Sequence, residues 1–193
     1  MGYKHNKEEI LEVGYQVIRK NGYHHVGINQ ILKEAGIPKG SFYNFFKSKE
    51  DFARQVIQYY GEGNRKWLQD IFQKSEETPI NTLKSFYKLL IGYNEEDNFC
   101  SGCLINNLGI ETGRLYDSLA EETKEQFDQW LDVIAEVARK GQEVKEITDS
   151  FTPKEIANYL HSGFYGTFFK MKVERSRKDM DTWLEMTFKF IRA

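Results

Sequence analysis

Two groups of residues in this chain have the types and spacing to do chemistry. The first is Cys100-Ser101-Gly102-Cys103, which contains both cysteines of the sequence. A Cys-x-x-Cys pair can bind a metal, cycle between dithiol and disulfide, or present one acidified thiol near a helix start. A zinc site needs two further ligands, and no second pair exists; His161 and His24-His25 stand isolated. Thiol–disulfide catalysis sits on a βαβ framework, for which the chain has no pattern. What remains is thiol sensing or an inert buried cysteine. The second group is Lys39, Ser41, Tyr43 and Asn44, followed by Lys49. A carboxamide such as Asn44 can pair in bidentate fashion with an adenine edge, Tyr43 can meet a phosphate or a thymine methyl, and lysine and serine can hold a sugar-phosphate backbone.

Short helical elements are needed to place the second group. Asn6 caps a first helix with Glu9 three residues on, and Ile10, Leu11, Gly14, Val17 and Ile18 mark its apolar face until Asn21-Gly22 stops it. Ile28, Ile31, Leu32 and Ala35 recur at helical spacing, and Gly36 supplies the positive φ of a tight turn. Ile37-Pro38 then leads into a helix of about two turns, Lys39 to Phe46. Phe42, Phe45 and Phe46 form its back, leaving Lys39, Ser41, Tyr43 and Asn44 on its front. Ser48 caps a fourth helix whose first turn carries Glu50 and Asp51. The pattern is a helix-turn-helix with its downstream brace. Such a motif places its second helix in the major groove, with Lys49 and the start of the fourth helix at a phosphate.

Charge follows the same division. Residues 1–54 hold nine Lys or Arg against six Asp or Glu, a balance of +3, while the remainder, 18 against 23, is −5. This is the sign pattern of a small module that faces phosphate joined to a larger one with another task. With 40% hydrophobic and 15% aromatic residues the chain is too apolar for disorder. It has no apolar run of the ~20 residues that cross a bilayer and no signal-peptide core, so the expected location is the cytoplasm and no membrane partner is expected.

Beyond Phe52 the fourth helix continues through Val56, Ile57, Tyr60, Trp67, Leu68 and Ile71, with no flexible linker between the modules. Pro79 starts the next helix, carrying Leu83, Phe86, Tyr87, Leu90 and Ile91, and Asn94 to Asn98 reads as a polar loop. Leu115, Leu119, Phe127, Trp130, Leu131, Ile134 and Val137 mark a long amphipathic helix. Thr152 and Glu155 form a capping box before Ile156, Tyr159, Leu160, Gly163, Phe164, Phe168 and Met171. Met180, Trp183, Leu184, Thr187, Phe188 and Ile191 mark the last helix. Strand alternation is absent, and the expected fold is all-α with about nine helices: residues 1–50 as the DNA-binding helix-turn-helix domain and 51–193 as a larger helical domain. No Gly-rich phosphate loop, metal-ligand pair at helical spacing or nucleophile motif is present, so no enzyme, metal or cofactor is expected. An oxidoreductase built on the cysteine pair is the remaining catalytic alternative.

The run Gly36-Ile37-Pro38-Lys39-Gly40-Ser41-Phe42-Tyr43-Asn44-Phe45-Phe46-Lys47-Ser48-Lys49-Glu50 resembles the signature of the TetR family of transcriptional regulators. The resemblance is strongest over the first quarter of the chain. It implies a homodimeric repressor that binds a palindromic double-stranded operator and is released by a small-molecule inducer, with residues 51–193 as its C-terminal ligand-binding and dimerisation domain. By position, Lys39, Gly40, Ser41, Tyr43 and Asn44 would face the groove and Lys49 the phosphate. The family usually has Thr or Ser at the entry to the second helix, where this chain has Val26-Gly27; Asn29 is the candidate substitute. Dimerisation through the last two helices would use Phe164, Phe168, Trp183, Leu184, Phe188 and Ile191, with Gly163 and Gly166 allowing close approach. Tyr60, Trp67, Phe86, Tyr87, Phe99, Cys103, Phe127 and Trp130 are the candidates for lining an inducer site. Gly102-Cys103-Leu104 with Asn107 and Glu111 is similar to a segment of a branch of that family that includes sensors of electrophiles and oxidants, which implies a sensing thiol at Cys103 with Cys100 as the resolving thiol.

Overall fold

A computed structural model describes residues 6–96 and 102–193. Nine α-helices account for most of the described residues: α1 Lys7–Asn21, α2 Ile28–Ala35, α3 Lys39–Phe45, α4 Lys49–Gln73, α5 Pro79–Glu96, α6 Leu104–Thr112, α7 Asp117–Glu143, α8 Pro153–Glu174 and α9 Lys178–Phe190. They pack as two compact units, one within residues 1–64 and 102–127, the other within 65–101 and 128–193. Helices α4 and α7 each contribute to both, so the first packing unit reaches well past the helix-turn-helix. No helix among the described residues is long and apolar enough to cross a membrane.

The local signals act as the sequence suggests. The Asn6 side chain accepts from the Glu8 N–H at 3.1 Å, and Glu8 and Glu9 sit at the positive end of α1. Gly36 ends α2 in the left-handed region at φ 64°, its N–H directed to the Leu32 and Lys33 carbonyls. Thr152 and Glu155 form the expected capping box at α8, with Pro153 in the first turn. Two boundaries differ. Helix α5 runs on to Glu96 through part of the expected loop, because Asn94 bonds back to the Leu90 carbonyl at 2.7 Å. Leu115, expected inside α7, precedes it in a turn and is exposed, its N–H going to the Thr112 carbonyl.

Each unit has its own core. In the first, Ile10, Val26, Ile31, Phe42, Phe46, Phe52 and Val56 close with Leu104, Leu108 and Leu119 of α6 and α7. In the second, Leu83, Phe86, Tyr87 and Ile91 of α5 pack with Ile134, Leu160, Phe164, Met180, Leu184 and Phe188. Burial of each large side chain stabilises by about 1.5–3 kcal/mol. The chain ends in a small clip, Ile147 bridging Arg192, with the Thr148 N–H on the Ile191 carbonyl at 2.8 Å.

Candidate nucleic-acid interface

The candidate reading surface is α3, a seven-residue helix with a phenylalanine back. Phe42 and Phe46 are buried, and their rings meet each other at 5.0 Å and Phe52 of α4 at 5.3 and 4.8 Å. Three interlocked rings therefore fix the roll of α3, and the residues between them are turned outward. Tyr43 is 48% exposed, an unusual state for a large aromatic ring, and is propped edge-on against Phe42 at 5.5 Å. Lys39, Gly40 and Asn44 are exposed beside it and Ser41 is half-buried. This is the arrangement the sequence suggests: one aromatic, one carboxamide and one ammonium on the open side of α3.

Two neighbouring residues are placed differently from their expected roles. Lys49 is half-buried, and its ammonium donates to the Tyr23 carbonyl at 2.6 Å while standing 4.2 Å over the Tyr23 ring. Burial lowers its pKa, with the Glu111 charge acting the other way. As placed it braces the turn before α2. Asn29 lies exposed in the first turn of α2, but the N-cap is Gly27 and no side-chain cap bond forms, so Asn29 does not replace the missing capping hydroxyl. At the start of α4, Ser48 accepts from the Asp51 N–H at 3.0 Å and Asp51 accepts from the Lys47 N–H at 2.9 Å.

The residues expected to line an inducer site fall into separate groups. In the first unit, Cys103 is the N-cap of α6 and half-buried, with Tyr60 beside it, and the Tyr60 ring stacks on Tyr15 at 4.9 Å. Burial first, then the neighbouring Cys103, pushes the Tyr60 phenol well up. Phe127 packs against the same core. In the second unit, Phe86 and Tyr87 are fully buried, with Trp67 and Trp130 packed around them at 6.1 and 5.9 Å from Phe86. These four are packing residues of the second core. Phe99 and Cys100 lie outside the described residues.

Sequence reading did not single out two features of the second unit. His161 is buried, accepts from the Trp130 indole N–H at 3.4 Å, and is pushed down to about 3 by burial, so it stays neutral. A groove of about 970 Å³ runs along α4, α5 and α7, with Arg65, Gln69, Phe72, Thr82, Val133 and Glu136 among its walls. A histidine buried between aromatic residues, and a groove shared by three helices, have no signature in local spacing.

The dimer face requires a correction. Phe164, Phe168, Leu184, Phe188 and Ile191 are buried inside the single chain, and Trp183 is half-buried against the same core. A side chain covered by its own protomer offers no area to a second copy. Gly163 is explained the same way: a Cβ there would come within 2.5 Å of Trp183 Nε1, so the glycine serves packing of α9 on α8 within the chain. The open side of α8 carries Tyr159, Ser162, Gly166, Phe169 and Val173, all exposed at alternating spacings of three and four, with Phe169 72% exposed. Met186 and Phe190 are the exposed apolar residues of α9. The periodicity identified the helices, but α8 carries aromatic rings on both sides, and spacing does not say which side the chain itself covers.

The whole chain has relatives that share this plan. Residues 10–56 match the model of the bacterial regulatory proteins of the tetR family, and residues 79–187 match that of the tetracyclin repressor-like C-terminal domain. The HTH-type transcriptional repressor DhaR of Mycobacterium sp. is 30% identical over 94% of this chain and 90% of its own length. The repressor NemR of Escherichia coli is 24% identical over 92% and 89%. A crystal structure described as the reduced form of E. coli NemR superposes with a TM-score of 0.86 at 25% identity, covering 96% of each chain. A regulatory protein TetR from Rhodobacter sphaeroides gives 0.84 at 26%, covering 95% of this chain and 97% of that one. With a helix-turn-helix that exposes Tyr43 and Asn44 at one end, an all-helical remainder, and both family models matched in order along the sequence, this chain belongs to the TetR family of transcriptional regulators.

Proposed function

We propose that the chain acts in the cytoplasm as a homodimeric repressor, placing α3 of each protomer in the major groove of a palindromic operator and leaving it when a small-molecule inducer binds. The observation that carries this reading is the outward Tyr43 and Asn44 on a helix locked from behind by Phe42 and Phe46. Lys39, Gly40, Ser41 and Asn29 position the backbone, and Lys49 contributes mainly by holding the turn. Two copies meet through Tyr159, Gly166, Phe169 and Val173 of α8 with Met186 and Phe190 of α9. The half-sites of the operator lie one helical turn of DNA apart or a small multiple of it. Induction requires that the inducer bind the DNA-incompetent state better. Tyr60, Cys103 and Phe127 are its proposed contacts.

The test is a gel shift with a duplex selected in vitro by the wild-type chain. Binding should fall steeply with added salt, and Tyr43→Ala should lower affinity by about 10- to 100-fold, the value of one base-reading contact. Unchanged affinity in a folded Tyr43→Ala chain would refute the assignment of α3. Phe169→Glu should convert the dimer to monomer in analytical ultracentrifugation; an intact dimer would exclude the α8 stripe.

A second reading is supported by Cys103 itself, half-buried at the start of α6 beside Tyr60, and by the likeness to NemR, whose structure is described by its redox state. In it, modification of the Cys103 thiol is the inducing event. If Cys103→Ser leaves DNA release by a quinone, an aldehyde or hypochlorite unchanged, this reading fails.

A further inference from the structure

The turn between α1 and α2 is held by a residue 88 positions further along the chain. Glu111, in the last turn of α6, accepts the Tyr23 N–H on Oε2 at 2.9 Å and the His24 N–H on Oε1 at 2.7 Å. Tyr23 and His24 open a tight turn whose closing bond runs from the Val26 N–H to the Tyr23 carbonyl at 3.3 Å. That same carbonyl takes the Lys49 ammonium. One residue is thus gripped at its N–H by α6 and at its C=O by α4. Tyr116 adds a ring against both Tyr23 and His24, at 5.4 and 6.1 Å, and Ser118 donates to Glu50 nearby. Gly22, at φ +79°, is where the chain passes the carboxylate; a Cβ there would lie 3.2 Å from Glu111 Oε2 in a conformation L residues rarely adopt.

Glu111 is costly where it stands. A carboxylate in the last turn of a helix faces the negative end of the helix dipole. The cost is offset because both oxygens accept charge-assisted bonds from consecutive amides, the strong class of hydrogen bond. The recipient is the segment that sets α2: only two residues separate His24 from Gly27, the N-cap of α2, and the second of them, Val26, is fully buried. Helix α3 follows α2 after Gly36, so the direction of Tyr43 and Asn44 depends on how this turn is held.

We infer that Glu111 is a positioning residue for DNA recognition: by binding the Tyr23 and His24 amides it fixes the entry into α2 and, through it, the presentation of α3. The inference rests on the DNA-binding reading above. Because α6 starts at Cys103 and Glu111 lies in its last turn, a displacement of this helix reaches the turn directly.

The experiment compares the full-length wild type with Glu111→Gln and Glu111→Asp, using the in vitro selected duplex as the probe and amide exchange at Tyr23 and His24 as the local readout. In Glu111→Gln the new NH2 group faces a backbone N–H, so one bond is lost. The expected result is at least tenfold weaker binding and at least tenfold faster exchange of those two amides, with an unchanged salt slope because no phosphate contact is removed. Glu111→Asp keeps the charge and should restore part of both. Wild-type affinity in Glu111→Gln, or slow exchange at both amides, overturns the assignment; so does weakened binding that Glu111→Asp leaves at the Gln level together with a lowered melting temperature, which marks a general structural role. If the wild type itself selects no duplex, the DNA reading fails, and the two amides still report whether Glu111 holds the turn.

Discussion

Helix α3 and the core of the second unit use aromatic residues in opposite ways. In the first, the phenylalanines of α3 go inward and the one tyrosine goes outward, so that a ring with a hydroxyl is exposed at 48% while its neighbour Phe42 is sealed at 0%. In the second, rings of every kind are buried together: Tyr87 meets Phe86, Phe164 and Trp183 at 5.3 to 5.4 Å, and Phe164 meets Phe168 and Trp183 at 5.9 and 5.7 Å. An aromatic residue points to function when it is in the wrong place for its burial energy, and to packing when it is in the right one. Tyr43 is of the first kind; Phe86 and Tyr87 are of the second.

Substitutions can break that contrast. The largest effect is expected at Phe86. It is 1% exposed and touches Trp67, Phe72, Tyr87 and Trp130, so Phe86→Ala should leave a cavity and cost about 3–5 kcal/mol in chemical denaturation. Tyr43→Ala, removing a ring of similar size, should stay within about 0.5 kcal/mol of wild type by the same measurement. Equal losses at the two positions would erase the distinction between a packing and a presenting aromatic.

The distinction also explains what could be read in advance. The helix-turn-helix was legible because its information is local: a Gly at the turn, phenylalanines three and four apart, a capping serine. The split of α3 into a phenylalanine back and a polar front follows from helical periodicity alone. The dimer face was not, because periodicity marks the apolar side of α8 but does not say whether a ring is covered by its own chain or by another; Phe164 and Phe169 differ only in which side of one helix they occupy. The work of Lys49 and Glu111 was hidden for a second reason. Each bonds a backbone group of Tyr23 or His24 from far along the chain, and no side-chain pattern records which carbonyl or amide will lie nearby.

Tyr87 sharpens the comparison with an intermediate effect. Its ring fills the second core, yet its hydroxyl is buried with no hydrogen-bond partner among the described residues. Burial alone pushes its phenol far above the ordinary value. An orphaned hydroxyl costs about 1–3 kcal/mol, so Tyr87→Phe, which keeps the ring and removes the oxygen, should be neutral to stabilising by up to that amount. A loss of stability would mean that the hydroxyl is bonded and that this ring does more than pack.

The smallest effect concerns Tyr23, the residue whose backbone is gripped from both sides. It is buried, and its phenol is pushed up to about 12, first by burial and then by Tyr116, Glu50 and Glu111 around it. In the unfolded chain the phenol titrates near 10. Below that value both states hold the proton and the fold has the full benefit. Between about 10 and 12 the unfolded state releases its proton while the folded state retains it, so the unfolded state binds fewer protons and stability falls as pH rises, by at most about 1.4 kcal/mol per pH unit. Denaturation of wild type and Tyr23→Phe at pH 9 and pH 11 isolates this contribution, since the other tyrosines are common to both chains. Wild type should lose more stability than Tyr23→Phe over that interval. Equal losses would place the Tyr23 hydroxyl in water rather than against Tyr116, Glu50 and Glu111.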